Sequence, residues 1–161
     1  MQERSREVPI RFVKPTVFRK FLYALLGLSA VFAIASFLLP YHWKSDPGAR
    51  FKIVASQVKR DRSSYWLNIH LKKSGNAGHD LMKPVLLITS KKKTHEPADT
   101  SFLGEPGLGT TEIWFKFWLE ESDLKGPLYL QLNDGTLTVK SIGGLPRISD
   151  GSLKTFTTSR W

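Results

Sequence analysis

The chain has 161 residues, a formal charge of +10 and no cysteine. That length excludes two soluble domains and leaves room for one domain of about 120 residues beyond an apolar segment. The lack of cysteine excludes disulfides, thiolate metal sites, iron–sulfur clusters and covalently attached c-type haem.

Residues 1–20 form a short basic tail. Arg4, Arg6, Arg11, Lys14, Arg19 and Lys20 stand there against only Glu3 and Glu7. Within the tail, Val8-Pro9-Ile10-Arg11-Phe12-Val13 is apolar enough to lie on a membrane surface or a partner.

An uncharged run follows over Phe21–Leu39 and stops at Pro40. At ~1.5 Å per residue such a run matches the ~30 Å hydrocarbon core of a bilayer. A lone segment satisfies its backbone there only as a helix. The expectation is one transmembrane helix in residues 21–40, with Thr16 as N-cap and Pro40 as stop. Arg19 and Lys20 then fall at one membrane interface, and Tyr41 and Trp43 at the other. The excess of Lys and Arg before the run keeps the N-terminus cytoplasmic. In a bacterial inner membrane the C-terminal domain is then periplasmic. The competing reading is a signal peptide cut after Ala33-Ile34-Ala35. Cleavage there would leave an apolar new N-terminus, and the run is longer than a signal-peptide core. Ser29, Ala33 and Ser36 share one helix face, where small side chains let a second helix approach.

Residues 41–50 read as a linker, and residues 51–161 as an extracytoplasmic β domain. Phe51, Ile53 and Ala55 alternate with Lys52, Val54 and Ser56; Tyr65, Leu67, Ile69 and Leu71 alternate with Trp66, Asn68, His70 and Lys72; and Ile113, Phe115, Phe117 and Leu119 alternate with Trp114, Lys116, Trp118 and Glu120. Period two is the mark of a strand with one face in a core. Further strands are expected at residues 84–89, 128–132, 136–141 and 153–158. Asn133-Asp134-Gly135 reads as a hairpin turn because its residues tolerate positive φ. Residues 94–110, rich in Pro and Gly, read as the longest irregular stretch. The fold class is therefore mainly β: one N-terminal transmembrane helix, then a small antiparallel β-sandwich of about seven strands, immunoglobulin-like, with a barrel as the alternative.

Little in this sequence carries chemistry. No pair among His42, His70, His79 and His95 has metal-ligand spacing. There is no nucleophile elbow, and the glycines at 104, 107 and 109 lack the helix and lysine of a phosphate loop. Glu120, Glu121 and Asp123 read as a solvated turn. Lys91-Lys92-Lys93 reads as a solvated loop, and the charge is otherwise too dispersed for a nucleic-acid partner. The expectation is a protein with no catalytic residue, no cofactor and no metal. The remaining signal is aromatic. Trp66, Trp114 and Trp118 alternate with the core positions, so they fall either in a second buried layer or in an exposed partner patch.

These observations point to a non-catalytic accessory subunit of an integral membrane complex. Its partners are the other subunits and the lipid bilayer. A respiratory or photosynthetic electron-transfer complex is one such host, and secretion or envelope-assembly machines fit equally. A membrane-anchored module binding sugar or peptide on the tryptophan face is the alternative, as is a transient assembly factor.

Overall fold

The computed structural model describes residues 15–38, 46–107 and 109–161, and within its first helix the side chains of residues 19–34. The chain forms two units, Met1–Pro40 and Tyr41–Trp161.

In the first unit, helix α1 runs Pro15–Leu38. Its composition explains it: Leu, Ala and Phe dominate, and proline occurs only at its first position, where no helical N–H is lost. Every side chain described in α1 is exposed, Phe21, Leu26, Val31 and Phe32 among them, on all sides of the helix. Among the described residues no helix is long and apolar enough to cross a membrane. The side chains described, those of residues 19–34, cover about 24 Å of helix axis at ~1.5 Å per residue, less than a hydrocarbon core. A helix is thus shown here, and a membrane span is not. The basic tail before Pro15, and Tyr41 and Trp43, lie outside the described residues.

The second unit is mainly β. Its strands are β1 (Phe51–Asp61), β2 (Ser64–Lys73), β3 (Leu86–Thr89), β4 (Thr94–His95), β5 (Asp99–Glu105), β6 (Gly109–Glu120), β7 (Leu128–Leu132), β8 (Gly135–Lys140) and β9 (Leu153–Phe156). A one-turn helix α2 (Glu121–Leu124) separates β6 from β7. Two sheets form, in the orders β5-β6-β2-β1-β9 and β4-β3-β7-β8, and every pairing is antiparallel. One core joins them. Phe51 and Val58 of β1, Leu67 and Ile69 of β2, and Phe115 and Phe117 of β6 pack with Leu87, Leu128, Leu130 and Val139 of the other sheet. Burial of alternate residues is what period-two patterning produces when one face of each sheet meets the other.

Three features differ from the sequence expectation. The stretch over residues 94–110 is not irregular; it contains β4, β5 and the start of β6. In β1 the alternation breaks at a bulge between Ile53 and Ala55, so Ser56 and Val58 take the inward positions and Ala55 is only half-buried. A bulge adds one residue to a strand and so inverts the face of all that follow. The third difference concerns Asp46–Arg50, which read as the end of a linker but are packed into the domain. Pro47–Ala49 make a 3₁₀ turn, and Ala49 is fully buried. The Asp46 carboxylate accepts from Gly48 N at 2.9 Å and from Thr136 N at 2.8 Å.

Candidate functional site

Strand β2 pairs with β6 so that Trp66 lies opposite Trp118, Asn68 opposite Lys116, and His70 opposite Trp114. All of these alternate with core residues, which puts them on the outer face of the five-stranded sheet. Trp118 is 45% exposed, and Trp66 and Trp114 are half-buried. The three tryptophans singled out from sequence thus come together on one face, and none of them enters the core.

The packing on this face is specific. The His70 ring stacks on Trp114 with centroids 3.9 Å apart and planes 5° from parallel. Its Nε2 is 2.9 Å from Glu112 Oε2, and Lys72 Nζ approaches the same carboxylate at 3.9 Å. Lys116 Nζ lies 4.6 Å from the centre of the Trp66 ring, a cation–π contact worth about 0.5–1 kcal/mol at such a site. Asn68 Oδ1 is buried on this face with no hydrogen-bond partner among the described residues. The result is a flat aromatic surface with one half-exposed tryptophan at one end and a His–Glu–Lys cluster at the other. What it offers chemically is stacking and apolar contact.

Two further clusters lie elsewhere. Asp123, expected in a solvated turn, is almost fully buried and caps α2 through the backbone N–H of Glu120. Its Oδ2 accepts from Lys93 Nζ at 3.0 Å, and the bond raises the lysine's pKa. His95 Nε2 stands 3.2 Å from that oxygen but is not aligned for a hydrogen bond. Lys93 is exposed, as expected of a solvated loop, and its ammonium is in addition held by Asp123. The second cluster surrounds His79, whose Nδ1 is 3.0 Å from Asn133 Oδ1 and whose ring lies 6.2 Å from both Phe102 and Phe115. It borders an open cleft of about 430 Å³. Sequence reasoning missed both, because each joins residues distant in the chain. Among the described residues no group of three His, Asp or Glu is placed to hold a metal ion.

Of the helix residues singled out, Arg19, Lys20, Ser29 and Ala33 are exposed on α1; the side chain of Ser36 lies outside the described residues. Comparison with protein-family models, with curated proteins and with solved structures gives no match.

Proposed function

We propose that this chain is a membrane-anchored, non-catalytic accessory subunit whose β domain braces a larger integral membrane complex through its tryptophan face. The observation that carries the reading is the outward row of Trp66, Trp118 and Trp114, with Trp118 half-exposed. Tryptophan on a solvent face costs solubility unless something covers it, and it is among the residues that dominate protein interfaces. The anchor reading is supported by the uncharged run Phe21–Leu39, by a helix that is apolar on all sides, and by Arg19 and Lys20 before the run. A helix apolar all round suits lipid or the interior of a large assembly. Within the sheet orders β5-β6-β2-β1-β9 and β4-β3-β7-β8, the runs β5-β6-β2-β1 and β4-β3-β7-β8 support an immunoglobulin-like sandwich with β9 added at one edge, a scaffold suited to presenting a sheet face.

Site-directed photo-crosslinking tests the proposal. A benzophenone side chain at position 118 should crosslink to one integral membrane protein in intact membranes. The same group at Tyr129, on the outer face of the four-stranded sheet, should not. If the chain migrates alone after gentle detergent extraction and position 118 captures nothing, the reading is wrong.

A further inference from the structure

Strand edges attract other strands, because alternate backbone N–H and C=O groups face outward unpaired. Three of the four sheet edges here are short or covered. β4 is two residues long. β9 is four residues long and carries Lys154. β8 is covered by the chain's end, where Trp161 Nε1 donates to Val139 O at 3.1 Å and Ser141 N donates to Ser159 O at 2.7 Å.

β5 is different. It spans seven residues, pairs only with β6 among the described residues, and holds no Lys, Arg or Pro. A bulge at Leu103/Gly104 bends its end but leaves Asp99–Leu103 in regular register. Its Phe102 and Leu103 are 47% and 53% exposed.

The cleft described above adjoins this edge. Phe115 of the core, Phe102 and Thr100 of β5, and Val85 and Leu81 from the approach to β3 line its apolar side, and Lys83 and Glu96 line its polar side. Its outer wall is built rather than loose. Asp80 N donates to Asn133 Oδ1 at 2.9 Å, Met82 N donates to Asp80 Oδ1 at 3.0 Å, and Lys83 pairs with Asp134. That turn presents Leu81 at 76% and Met82 at 91% exposure.

We infer that β5 and this cleft form a docking site for one extended segment of a partner protein, which adds as a sixth strand to the five-stranded sheet. Main-chain hydrogen bonds to β5 supply affinity, and the cleft selects an apolar side chain on the inward face. Phe102, opposite Ile113 in register, is the β5 residue such a strand would cover on that face. Charge sets the segment's ends. Asp99 and Glu105 bound β5, and neither makes an ion pair among the described residues. Cross-strand pairing with them favours Lys or Arg at both ends of the incoming strand. The cleft opens on the inner side of β5, whereas the tryptophans lie on the outer face that begins beside it, with Trp114 opposite Ser101, and the inference stands without the accessory-subunit reading.

The test uses the full chain in detergent micelles and the blocked heptapeptide Lys-Thr-Val-Thr-Leu-Thr-Lys. Saturating peptide should slow amide hydrogen exchange across residues 99–105 by tenfold or more and leave β9 unchanged. A peptide N-methylated at alternate amides enters micelles equally well but lacks the bonding groups, and should give no protection. Glutamate at both ends should weaken binding severalfold. Thr100→Arg, which fills the cleft from a half-buried position, should weaken it at least tenfold while exchange in β2 stays as in the parent chain. Unchanged exchange at 99–105 with millimolar peptide would overturn the proposal, as would equal protection by the N-methylated peptide. Protection that appears with rising protein concentration alone would also overturn it, since the occupant would then be a second copy of this chain.

Discussion

Lys140 is a charged residue placed in the interior of the β domain. It is fully buried, and its ammonium donates to the carbonyls of Leu124, at 2.6 Å, and of Gly126 and Gly144. Burial pushes its pKa down, because the charged form loses hydration that three carbonyls only partly replace. The same bonds fasten the segments on either side of β7 and β8, so the lysine serves as an internal clasp. Lys140→Met keeps the bulk and removes the donors. It should lower stability by about 1.5–3 kcal/mol in urea denaturation, the range for losing hydrogen bonds to a charged group. The pH dependence at Asp134 has the opposite origin. The hydrogen bond and charge of Lys83, with Arg50 behind them, hold its carboxyl below the ordinary range. A depressed folded pKa means stability that is present above the ordinary aspartate range and lost as pH falls through the folded value. Carboxylate titration by NMR should place Asp134 below a free aspartate. Lys83→Met should move it upward and make acid unfolding less dependent on this group.

At the scale of elements, β6 tests which face is which. Phe117 is fully buried and its neighbour Trp118 is not. Phe117→Ala should cost about 3–5 kcal/mol through the cavity it leaves. Trp118→Ala should cost less than about 1 kcal/mol, the worth of a cross-strand contact. Equal losses in chemical denaturation would mean that both faces are core. The β7–β8 hairpin shows what was legible in the sequence and what was not. Asn133-Asp134-Gly135 is visible as a turn, and Asn133 does adopt a positive φ of 53°. The glycine is there for another reason. A side chain at position 135 would collide with the backbone N–H of Ala49, a contact between residues far apart in the chain. Gly135→Ala should therefore destabilise by about 1–3 kcal/mol through overpacking, read as a lowered denaturation midpoint. The same limit explains the strands. β2, β6 and β7 are legible because each buries a regular alternation. β5 is mostly exposed on both faces and carries no alternation to read. The bulge in β1 has no sequence mark at all, since Val54 and Ala55 suit either face. The tryptophan row was legible as a periodicity, and its outward direction followed only once the sheets were paired. The cleft beside β5 was not legible, because the three segments that line it meet only in the fold.

For the molecule as a whole, the core cluster among the described residues begins at Ala49. A fragment of residues 46–161 should accordingly fold alone and give a β-type circular dichroism spectrum. It should stay in the aqueous phase on detergent phase separation, whereas the full chain should enter the detergent phase through residues 21–39. The distribution of charge then makes the orientation testable. Six Lys and Arg precede the apolar run within twenty residues, and only Lys44, Arg50 and Lys52 follow in the next fifteen. Positive residues near a span are retained on the cytoplasmic side, so residues 1–20 should face the cytoplasm and the β domain the opposite side. Protease added outside intact cells stripped of any outer barrier should degrade the β domain and spare a tag placed before Met1. The fold adds a control that separates access from stability. Trp114→Ala with Trp118→Ala leaves the core intact, so it should not speed digestion of the purified fragment. In membranes it should speed it if the tryptophan face is covered by a partner, because losing the cover exposes the domain. Faster digestion of the fragment itself would show that the pair stabilises the sheet rather than an interface. Protection of the β domain in intact cells, with cleavage of the tag, would reverse the orientation.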